Sequence, residues 1–261
     1  MNDHDLVYGP QHRCQICGSE DLFEVIDLGS QPPCGAVRTK DELRLSEITF
    51  PLRLMMCERS GLAQLDYVPP ATTVYPKNYA YCAGISWTVV EAHRLMAKQL
   101  VDSFAPKLCV DIGCNDGTFL IEMKKLGVAV VGVEPTDVVD YAYRAGIPVL
   151  KRFFSERVAI DIGDKADLIT MTNVFAHMAD LGEVMRGVLA LLSEDGVLVV
   201  ENHYLLDVLE QGQFDTIYHE HVRTYSLHAL ECLFEQYGME VFYSARTPRY
   251  AGNIRVYVGR K

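Results

Sequence analysis

The densest group of chemically competent side chains lies in FDTIYHEHVRTYS, residues 214 to 226. A phenol, two imidazoles and a carboxylate occupy four consecutive positions there, Tyr218, His219, Glu220 and His221. Histidine is easily poised to move a proton near neutral pH, and a neighbouring carboxylate can orient it or support its charged form. The segment therefore indicates acid–base chemistry. Zinc or iron ligation is the weaker alternative, because consecutive side chains of an extended chain point in different directions.

A second candidate site is the loop in VDIGCNDGTFL, residues 110 to 120. An apolar run ends at Asp111, Gly113 permits a tight turn, and Gly117 lets a ligand approach the main chain where the next helix opens. Glu134 ends the next apolar run about 20 residues later, where ribose hydroxyls are usually gripped. Either carboxylate alone could merely be solvated at a strand end, but the pair at this spacing favours a cofactor. The loop lacks the Gly-x-Gly-x-x-Gly pattern of dinucleotide sites and resembles motif I of class I S-adenosylmethionine methyltransferases.

The segment TNVFAHMAD, residues 172 to 180, follows another apolar run. Open α/β sheets bind ligands at the carboxyl ends of their strands, so Asn173 and Ala176 are candidates to flank the cofactor. His177 stands at the same junction. A lone histidine there is more often a structural hydrogen-bonding residue than a catalyst, and the residues alone favour that interpretation.

Cysteines near the start of the chain have the spacing of a metal site. Cys14 and Cys17 form a Cys-x2-Cys pair, which is typical of structural zinc. The segment MMCERSGLAQL supplies Cys57 for a second pair, but Ser60 occupies the position of its expected partner. A serine hydroxyl is a poor zinc ligand, so the fourth ligand must come from elsewhere.

Cys34, in a Pro-Pro-Cys-Gly turn, is the first candidate for that fourth ligand, and His12 is a further one. Without either, the module has lost its metal and folds by packing alone. The chain has 8 cysteines. They are few for a disulfide scaffold and several lie in apparent core segments, so free thiols with one zinc site fit better.

The elements that must position these residues change character along the chain. Residues 12 to about 66 predict short strands and turns, and residues 85 to 104 carry apolar side chains at helical spacing. From Lys107 onward, strand-like apolar runs alternate with helical patterns, which indicates βαβ units and a parallel sheet. MEVFYSA and IRVYVG close the sequence as an expected β-hairpin.

We therefore predict an α/β protein with two domains. Residues 1–70 form a small, β-rich, zinc-binding type of module. Residues 71–261 form a class I methyltransferase domain, a Rossmann-like doubly wound sheet with a terminal β-hairpin. Fold alone does not prove chemistry.

Composition narrows the class of protein. Hydrophobic residues make up 49% and charged residues 23% of the chain, as in ordinary globular proteins, and no apolar run could span a bilayer. The start resembles no secretory signal, so a cytoplasmic protein is expected. The net charge of −11 argues against a nucleic-acid binder.

Taken together, the motifs resemble those of the nucleotide-sugar 3-C-methyltransferases, which make branched deoxysugars for bacterial secondary metabolites such as antibiotics. The resemblance covers nearly the whole chain, and the order of the motifs is specific. It rests on the cysteine pair and on the segments NYAYCAGIS, DIGCNDGTFL, GVEPT, NVFAHMAD, VENHYLLDVLE, FDTIYHEH and AGNIRVYV.

The resemblance implies a mechanism. A 4-keto group acidifies the proton on C3 of the sugar, a base removes it, and the enediolate attacks the sulfonium methyl. His221 corresponds to the base, with Glu220 beside it and Tyr218 nearby. His177 belongs to the family's active-site surroundings, and Tyr81, ahead of Tyr79, is expected to hydrogen-bond the substrate carbonyl.

The resemblance also implies the ligands. S-adenosylmethionine is the expected cofactor, a nucleotide-linked 4-keto-6-deoxysugar the expected substrate, and structural Zn²⁺ the expected metal. Cofactor contacts are expected from the loop, the next strand end and the later junction, namely Asp111, Gly113, Asn115, Asp116, Gly117, Glu134, Asn173 and Ala176. The zinc ligands are expected to be Cys14, Cys17, Cys34 and Cys57.

Members of that family usually continue into a further Rossmann-like domain, whereas this sequence stops at Lys261. A compact member, a smaller substrate, or a chain cut at the domain boundary would each account for this. Another small-molecule O-, N- or C-methyltransferase is the alternative enzyme, and a non-catalytic scaffold with a degenerate methyltransferase fold is the alternative from another class. The sequence leaves the oligomeric state open.

Overall fold

The computed structural model describes residues 7–35, 37–75, 79 and 81–261. Its first part consists of short strands followed by one turn of helix. These elements are β1 (Gly9–Pro10), β2 (Leu22–Gln31), β3 (Phe50–Cys57), β4 (Leu62–Leu65), β5 (Tyr67–Val68) and α1 (Ala71–Val74).

The remainder alternates helices and strands as the sequence predicts. In chain order the elements are α2 (Trp87–Phe104), β6 (Leu108–Ile112), α3 (Thr118–Lys125), β7 (Ala129–Val133), α4 (Val139–Arg144), β8 (Val149–Leu150), α5 (Glu156–Ile162), β9 (Ala166–Thr172), α6 (Leu181–Leu191), β10 (Leu192–His203), α7 (Leu205–Gln211), β11 (Arg223–Thr224), α8 (Leu227–Glu235), β12 (Met239–Thr247) and β13 (Asn253–Arg260). Short 3₁₀ helices lie at Glu42–Arg44, Ala83–Ile85, Phe175–His177, Phe214–Thr216 and Arg249–Ala251.

A seven-stranded sheet forms the centre of the larger part, with the order β12-β13-β10-β9-β6-β7-β8. The strands β6 to β10 run parallel, while β13 is antiparallel to β10 and β12 is antiparallel to β13. The strand order reverses between β6 and β9, which is where ligands bind in doubly wound sheets. The predicted methyltransferase fold with a terminal hairpin is therefore confirmed.

Helices cover both faces of this sheet because its central strands are apolar on both sides. Val110 and Ile112 of β6 pack in one core with residues of α5, α6 and α8. Cys109 of the same strand packs in the other core with residues of α2, α3 and α4. Burying each large apolar side chain stabilises the fold by roughly 1.5–3 kcal/mol. The sheet is thus a rigid platform for the loops at its carboxyl edge.

The first part contributes a four-stranded antiparallel sheet with the order β11-β4-β3-β2. Three of its strands come from the cysteine-containing segment, but β11 comes from the far end of the chain. Arg223 pairs with Gln64, and Thr224 pairs with Ala63. The chain region that carries His221 is therefore joined directly to the small sheet.

The helix α2 buries His93, Met96, Ala97 and Leu100, which is the i, i+3, i+4, i+7 stripe of an amphipathic helix. In the part of the chain that the structure describes, each helix is too short or too polar to span a membrane.

Candidate active site

A cleft of about 590 Å³ opens at the carboxyl edge of the parallel strands. Residues of the β6, β9 and β10 ends form one side, and Tyr75 and Tyr79 of the preceding segment form another. The loop that contains His221 and the turn that contains Arg249 close the remaining walls. Four widely separated chain segments thus meet at one pocket.

The loop after β6 has the close backbone approach that its glycine predicts. Gly113 has a φ of 73°. A Cβ atom there would lie 2.4 Å from the Val174 Cγ2 atom. The Asn115 backbone N–H donates to Glu134 Oε2 at 3.2 Å. Gly113 has no side chain, so its main chain is open to the cleft. The Glu134 carboxylate is fixed at the rim of the same cleft, and the two features together suit a ligand that contains a nucleoside.

Asp111 lies at the floor of the cleft, and the Thr170 hydroxyl donates to its Oδ1 at 2.6 Å. Burial raises the pKa of Asp111 to about 7; the Thr170 hydrogen bond opposes the shift and Glu134 adds to it. Asn173 lines the same wall with a φ of 54°. This floor offers an anionic group that a bound cation would stabilise.

Three of the predicted cofactor residues do not line the cleft. Asp116 accepts hydrogen bonds from the Gly84 and Thr118 backbone N–H groups, at 2.6 and 3.1 Å, and so holds the loop against the start of α2. A Cβ at Gly117 would lie 2.9 Å from Ala142 Cβ, so this glycine allows close packing of α4. The Ala176 N–H donates to Asn202. We correct their predicted cofactor contact to a supporting role.

His221 is buried in the cleft wall, with 5% of its surface exposed. Its Nδ1 lies 2.7 Å from the Thr216 carbonyl oxygen and therefore carries the proton. Its Nε2 is then the acceptor nitrogen, and the Tyr218 hydroxyl donates to it at 3.0 Å. Burial lowers the pKa of His221 well below its usual 6.5, and His177 and His203 lower it further. The arrangement is a neutral imidazole whose single ring lone pair accepts from the Tyr218 hydroxyl.

Glu220 does not orient His221. The Tyr79 hydroxyl donates to its Oε2 at 2.8 Å, and the Cys34 thiol donates to its Oε1 at 3.4 Å. Burial raises the pKa of Glu220, and these two donors oppose the shift. The Thr216 carbonyl oxygen, not a carboxylate, fixes the tautomer of His221.

The imidazole rings of His177 and His203 lie next to that of His221. The ring centroid of His177 lies 5.1 Å from that of His221, and the ring centroid of His203 lies 4.7 Å away. Burial lowers the pKa of His177 to about 3, with His203 adding to the shift. His203 is absent from the sequence predictions. It ends β10, so the strand-end rule applied to Asn173 would have found it.

Tyr81 and Tyr79 form hydrogen bonds with different partners. Tyr81 lines the cleft, and its hydroxyl lies 2.6 Å from that of Tyr250. Tyr79 is engaged by Glu220 instead. Tyr250 and Arg249 are also cleft residues that sequence reasoning missed, because nothing in the spacing of the closing hairpin indicated that its turn reaches the site.

The alternative metal site at His219, Glu220 and His221 does not assemble. His219 faces away, with its Nε2 3.3 Å and 3.2 Å from the Phe50 and Pro51 carbonyl oxygens. Among the residues placed by the structure, the cluster of potential ligands close enough to share an ion is Cys14, Cys17 and Cys57.

This cysteine cluster fits zinc with three thiols. The sulfur atoms of Cys14, Cys17 and Cys57 lie within 4.8 Å of one another. The Cys17 and Cys57 sulfur atoms are 3.6 Å apart, and Ser60 Oγ is 3.2 Å from Cys14 Sγ. Thiolates are preferred zinc ligands, and the Ser60 hydroxyl lies beside the three of them.

Cys34 is not part of the cluster, and its prediction as the fourth ligand was wrong. Its thiol donates a hydrogen bond to the Glu220 carboxylate. Burial, together with that carboxylate, raises the pKa of Cys34 to about 12. The turn that contains it packs on the loop of residues 218 to 221, which the position of Cys34 in the sequence does not reveal.

Ser60→Cys is expected to tighten zinc binding roughly 10- to 100-fold, the range that one group near a metal commonly controls. The substitution would turn three thiolates into four in a site that already has the required spacing. Competition with a chromophoric chelator would measure the affinity, and Co²⁺ absorption would report the number of thiolates. Ser103→Cys, which adds a thiol on the exposed side of α2, is the control. An unchanged affinity in Ser60→Cys would show that the fourth corner lies elsewhere.

Comparisons with known proteins match both parts of the chain. A family model described as "Methyltransferase domain" matches residues 90–244, and one described as "Putative zinc binding domain" matches residues 14–75. The C-methyltransferase NovU of Streptomyces niveus is 31% identical over 258 residues, which cover 96% of this chain and 61% of that protein. A ubiquinone biosynthesis O-methyltransferase of Azorhizobium caulinodans is 28% identical over 35% of this chain and 38% of its own length.

The chain thus spans about six-tenths of the length of the first relative. Solved structures share the fold at low identity. The PH0226 protein of Pyrococcus horikoshii OT3 has a TM-score of 0.56 and 14% identity, covering 73% of this chain and 98% of that one. Magnesium protoporphyrin IX methyltransferase of Synechocystis PCC 6803, solved with bound SAH, has a TM-score of 0.52 and 13% identity, covering 66% and 83%.

Proposed function

The chain belongs to the methyltransferase family whose model matches residues 90–244, and from that premise we propose that it methylates carbon C3 of a nucleotide-linked 4-keto-deoxysugar. The observation that carries the proposal is the neutral, buried His221 of the cleft, whose unprotonated Nε2 can take a proton once the Tyr218 hydroxyl turns away. Carbon methylation needs a base to make the carbon nucleophilic, whereas the sulfonium donor is already activated. The 31% identity to a C-methyltransferase supports the same reaction class.

The residues that line the cleft fit the cofactor. The glycine at residue 113 leaves its main chain bare, and Glu134 stands where ribose hydroxyls are held in related sheets. Asp111 presents a carboxyl at the floor. When bound there, S-adenosylmethionine would supply an electrophilic methyl group on sulfur.

The residues of this chain carry out the remaining steps of the reaction. His221 Nε2 removes the C3 proton of the sugar, and the electron pair of that C–H bond moves into the enediolate, with negative charge on the C4 oxygen. The Tyr81 hydroxyl, paired with that of Tyr250, is placed to donate to this oxygen. Gly113 and Glu134 would hold the cofactor so that it could supply its methyl group to C3. Holding C3 in line with the methyl group is the other task of the cleft.

Glu220 and its two donors support this work from one side. Because Tyr79 and Cys34 both donate to Glu220, its carboxylate holds the Tyr79 side chain and the turn of residue 34 against the loop of residues 218 to 221. We assign Glu220 a positioning role, with His177 and His203 as the neutral surroundings that keep His221 unprotonated.

The test is exchange in deuterated water. A 4-keto-6-deoxysugar linked to a nucleotide, incubated with the protein and S-adenosylhomocysteine, should exchange its C3 hydrogen for deuterium, because no methyl group is available to trap the enediolate. With S-adenosylmethionine the product should gain one methyl group on carbon. A protein that binds the cofactor, causes no exchange and methylates oxygen or nitrogen of some other compound would refute carbon methylation.

The acid limb of the kcat/KM profile is expected well below pH 6.5. The pKa of His221 is lowered by burial and by two neighbouring imidazoles, so its inactive, protonated form accumulates only below that lowered value. With the cofactor saturating, so that protonation of Asp111 does not limit its binding, rates should stay level from pH 8 to 6.5 and fall only in more acidic buffer.

Measuring product mass between pH 5 and 8 would check this. His203→Asn removes one neighbour that lowers the pKa of His221, and it should move the limb toward higher pH. A wild-type limb at or above pH 6.5 would contradict the assignment of His221 as the base.

A further inference from the structure

Several polar atoms in one part of the cleft have no hydrogen-bond partner among the residues that the structure describes. His93 is only 5% exposed, yet neither of its ring nitrogens has a hydrogen-bond partner among the described residues. Asn173 Nδ2 and Arg249 Nε are buried and unpartnered in the same sense. All three residues line the cleft. Buried donors without partners are costly, so this wall is built for a ligand that accepts hydrogen bonds.

Two arginines and one buried glutamate lie together at this wall, and of these three residues Arg249 is the one that lines the cleft. Glu201 is fully buried, and Arg255 holds its Oε2 through Nη2 at 2.6 Å and Nε at 2.7 Å. Arg249 Nη1 reaches Oε1 of the same carboxylate only at 3.3 Å. Two guanidinium groups therefore share one carboxylate. Asp111 offsets only part of the positive charge of the two arginines, because its pKa of about 7 leaves it incompletely ionised near neutral pH.

Backbone conformation points Arg249 toward this wall. The turn after Arg249 places Tyr250 at φ 48° and Ala251 at φ 61°, both in the left-handed region that disfavours residues other than glycine. Such conformations persist where the surrounding structure requires them, often at ligand sites. The turn brings the Arg249 side chain, 11% exposed, into the cleft.

We propose that His93, Asn173 and Arg249 form a subsite for the α-carboxylate of the methionyl group of the cofactor. The inference rests on the proposed use of S-adenosylmethionine. The paired arrangement of an anion and a cation, Asp111 and Arg249, matches the ammonium and carboxylate of an α-amino acid better than it matches a phosphate. A guanidinium binds carboxylates with short, charge-assisted hydrogen bonds.

His93 contributes as a neutral donor. Burial, with Arg249 and Arg255 nearby, lowers the pKa of His93 to about 3, so its ring carries one N–H and no charge at neutral pH. Its ring also packs edge-on against Phe119, with centroids 5.8 Å apart. A phenylalanine in its place would keep this packing and lose both nitrogens.

Calorimetric binding of three ligands tests the subsite. S-adenosylhomocysteine has the carboxylate, decarboxylated S-adenosylhomocysteine lacks only that group, and 5′-methylthioadenosine lacks the whole amino-acid portion. Arg249→Met should weaken S-adenosylhomocysteine about 10- to 100-fold, as expected for a hydrogen bond to a charged group. The other two ligands should bind the variant within about twofold of the wild type, since neither can use the subsite.

His93→Phe is the second variant, should Arg249→Met fold poorly, and it should weaken the same ligand selectively. Arg157→Met, at an arginine of α5 whose side chain is 77% exposed, is the matched control. Equal losses for all three ligands, or no loss for S-adenosylhomocysteine, would overturn the subsite and leave the proposed function standing. A wild-type protein that binds none of the three would overturn the subsite together with the cofactor assignment. No sugar is present, so a wrong sugar substrate would not alter the binding result.

Discussion

Replacement of His221 by asparagine is expected to lower kcat for methyl transfer by about 10²–10⁴-fold, the usual contribution of a general base. The asparagine amide can still donate to the Thr216 carbonyl, which now accepts from Nδ1 at 2.7 Å. It cannot take a proton as Nε2 does. The cofactor should bind with unchanged affinity, because the loss falls on proton abstraction. Exchange of the C3 hydrogen into deuterated water should fall in parallel.

His219→Gln is the matched control for this variant. His219 is two positions earlier and equally buried, but its Nε2 serves the Phe50 and Pro51 carbonyl oxygens instead of the cleft. A glutamine amide can keep those contacts, so activity should stay near that of the wild type. If His219→Gln lost exchange while His221→Asn retained it, the base would have been assigned to the wrong imidazole.

Gly113→Ala is expected to abolish measurable cofactor binding. An alanine at a φ of 73° pays roughly 1–2 kcal/mol for the left-handed conformation. Its Cβ would also lie 2.4 Å from Val174 Cγ2 and 2.9 Å from Val174 Cβ, so the loop or the wall of the cleft must shift. Calorimetry with S-adenosylhomocysteine, alongside thermal unfolding to confirm a folded chain, would measure the effect.

Gly127→Ala separates the two causes. Gly127 has a φ of 86°, but no atom lies within 4 Å of the position that its Cβ would occupy. This control should lose a little stability and keep its affinity for the cofactor. In the double variant Gly113→Ala, Val174→Ala, two of the three close contacts disappear, and binding should recover in part. Full affinity in Gly113→Ala alone would mean that the cofactor does not depend on this loop.

The fold was predictable because its signals are local. The alternation of apolar runs with helical stripes fixes a parallel sheet, and a residue at the end of a strand, such as Glu134, is found by counting. The same counting placed Asp111 and Asn173 at the cleft. It also assigned Asp116 and Gly117 to the cofactor, although the first anchors Gly84 and the second packs on α4.

The partners of the candidate site were not predictable, because they come from distant parts of the chain. Cys34 and Glu220 are 186 residues apart, and no pattern in either segment names the other. The sequence predicts Cys34 as a zinc ligand only because a cysteine close to a Cys-x2-Cys pair has the right chemistry. The contribution of Arg249 depends on the path of a turn in which Tyr250 and Ala251 are left-handed, and the glycine of this turn, Gly252, comes only after both.

The pairing of β11 with β4 also bears on the order in which the chain is made. Residues 223 and 224 complete a sheet whose other strands lie within residues 22–65. On the ribosome, β4 therefore emerges as an open edge and stays one until more than 150 further residues have been synthesised. Unpaired edges invite association with other chains. Contacts this remote in sequence also form slowly. The nascent chain thus leaves the β4 edge open to association with other chains until the segment carrying His221 arrives.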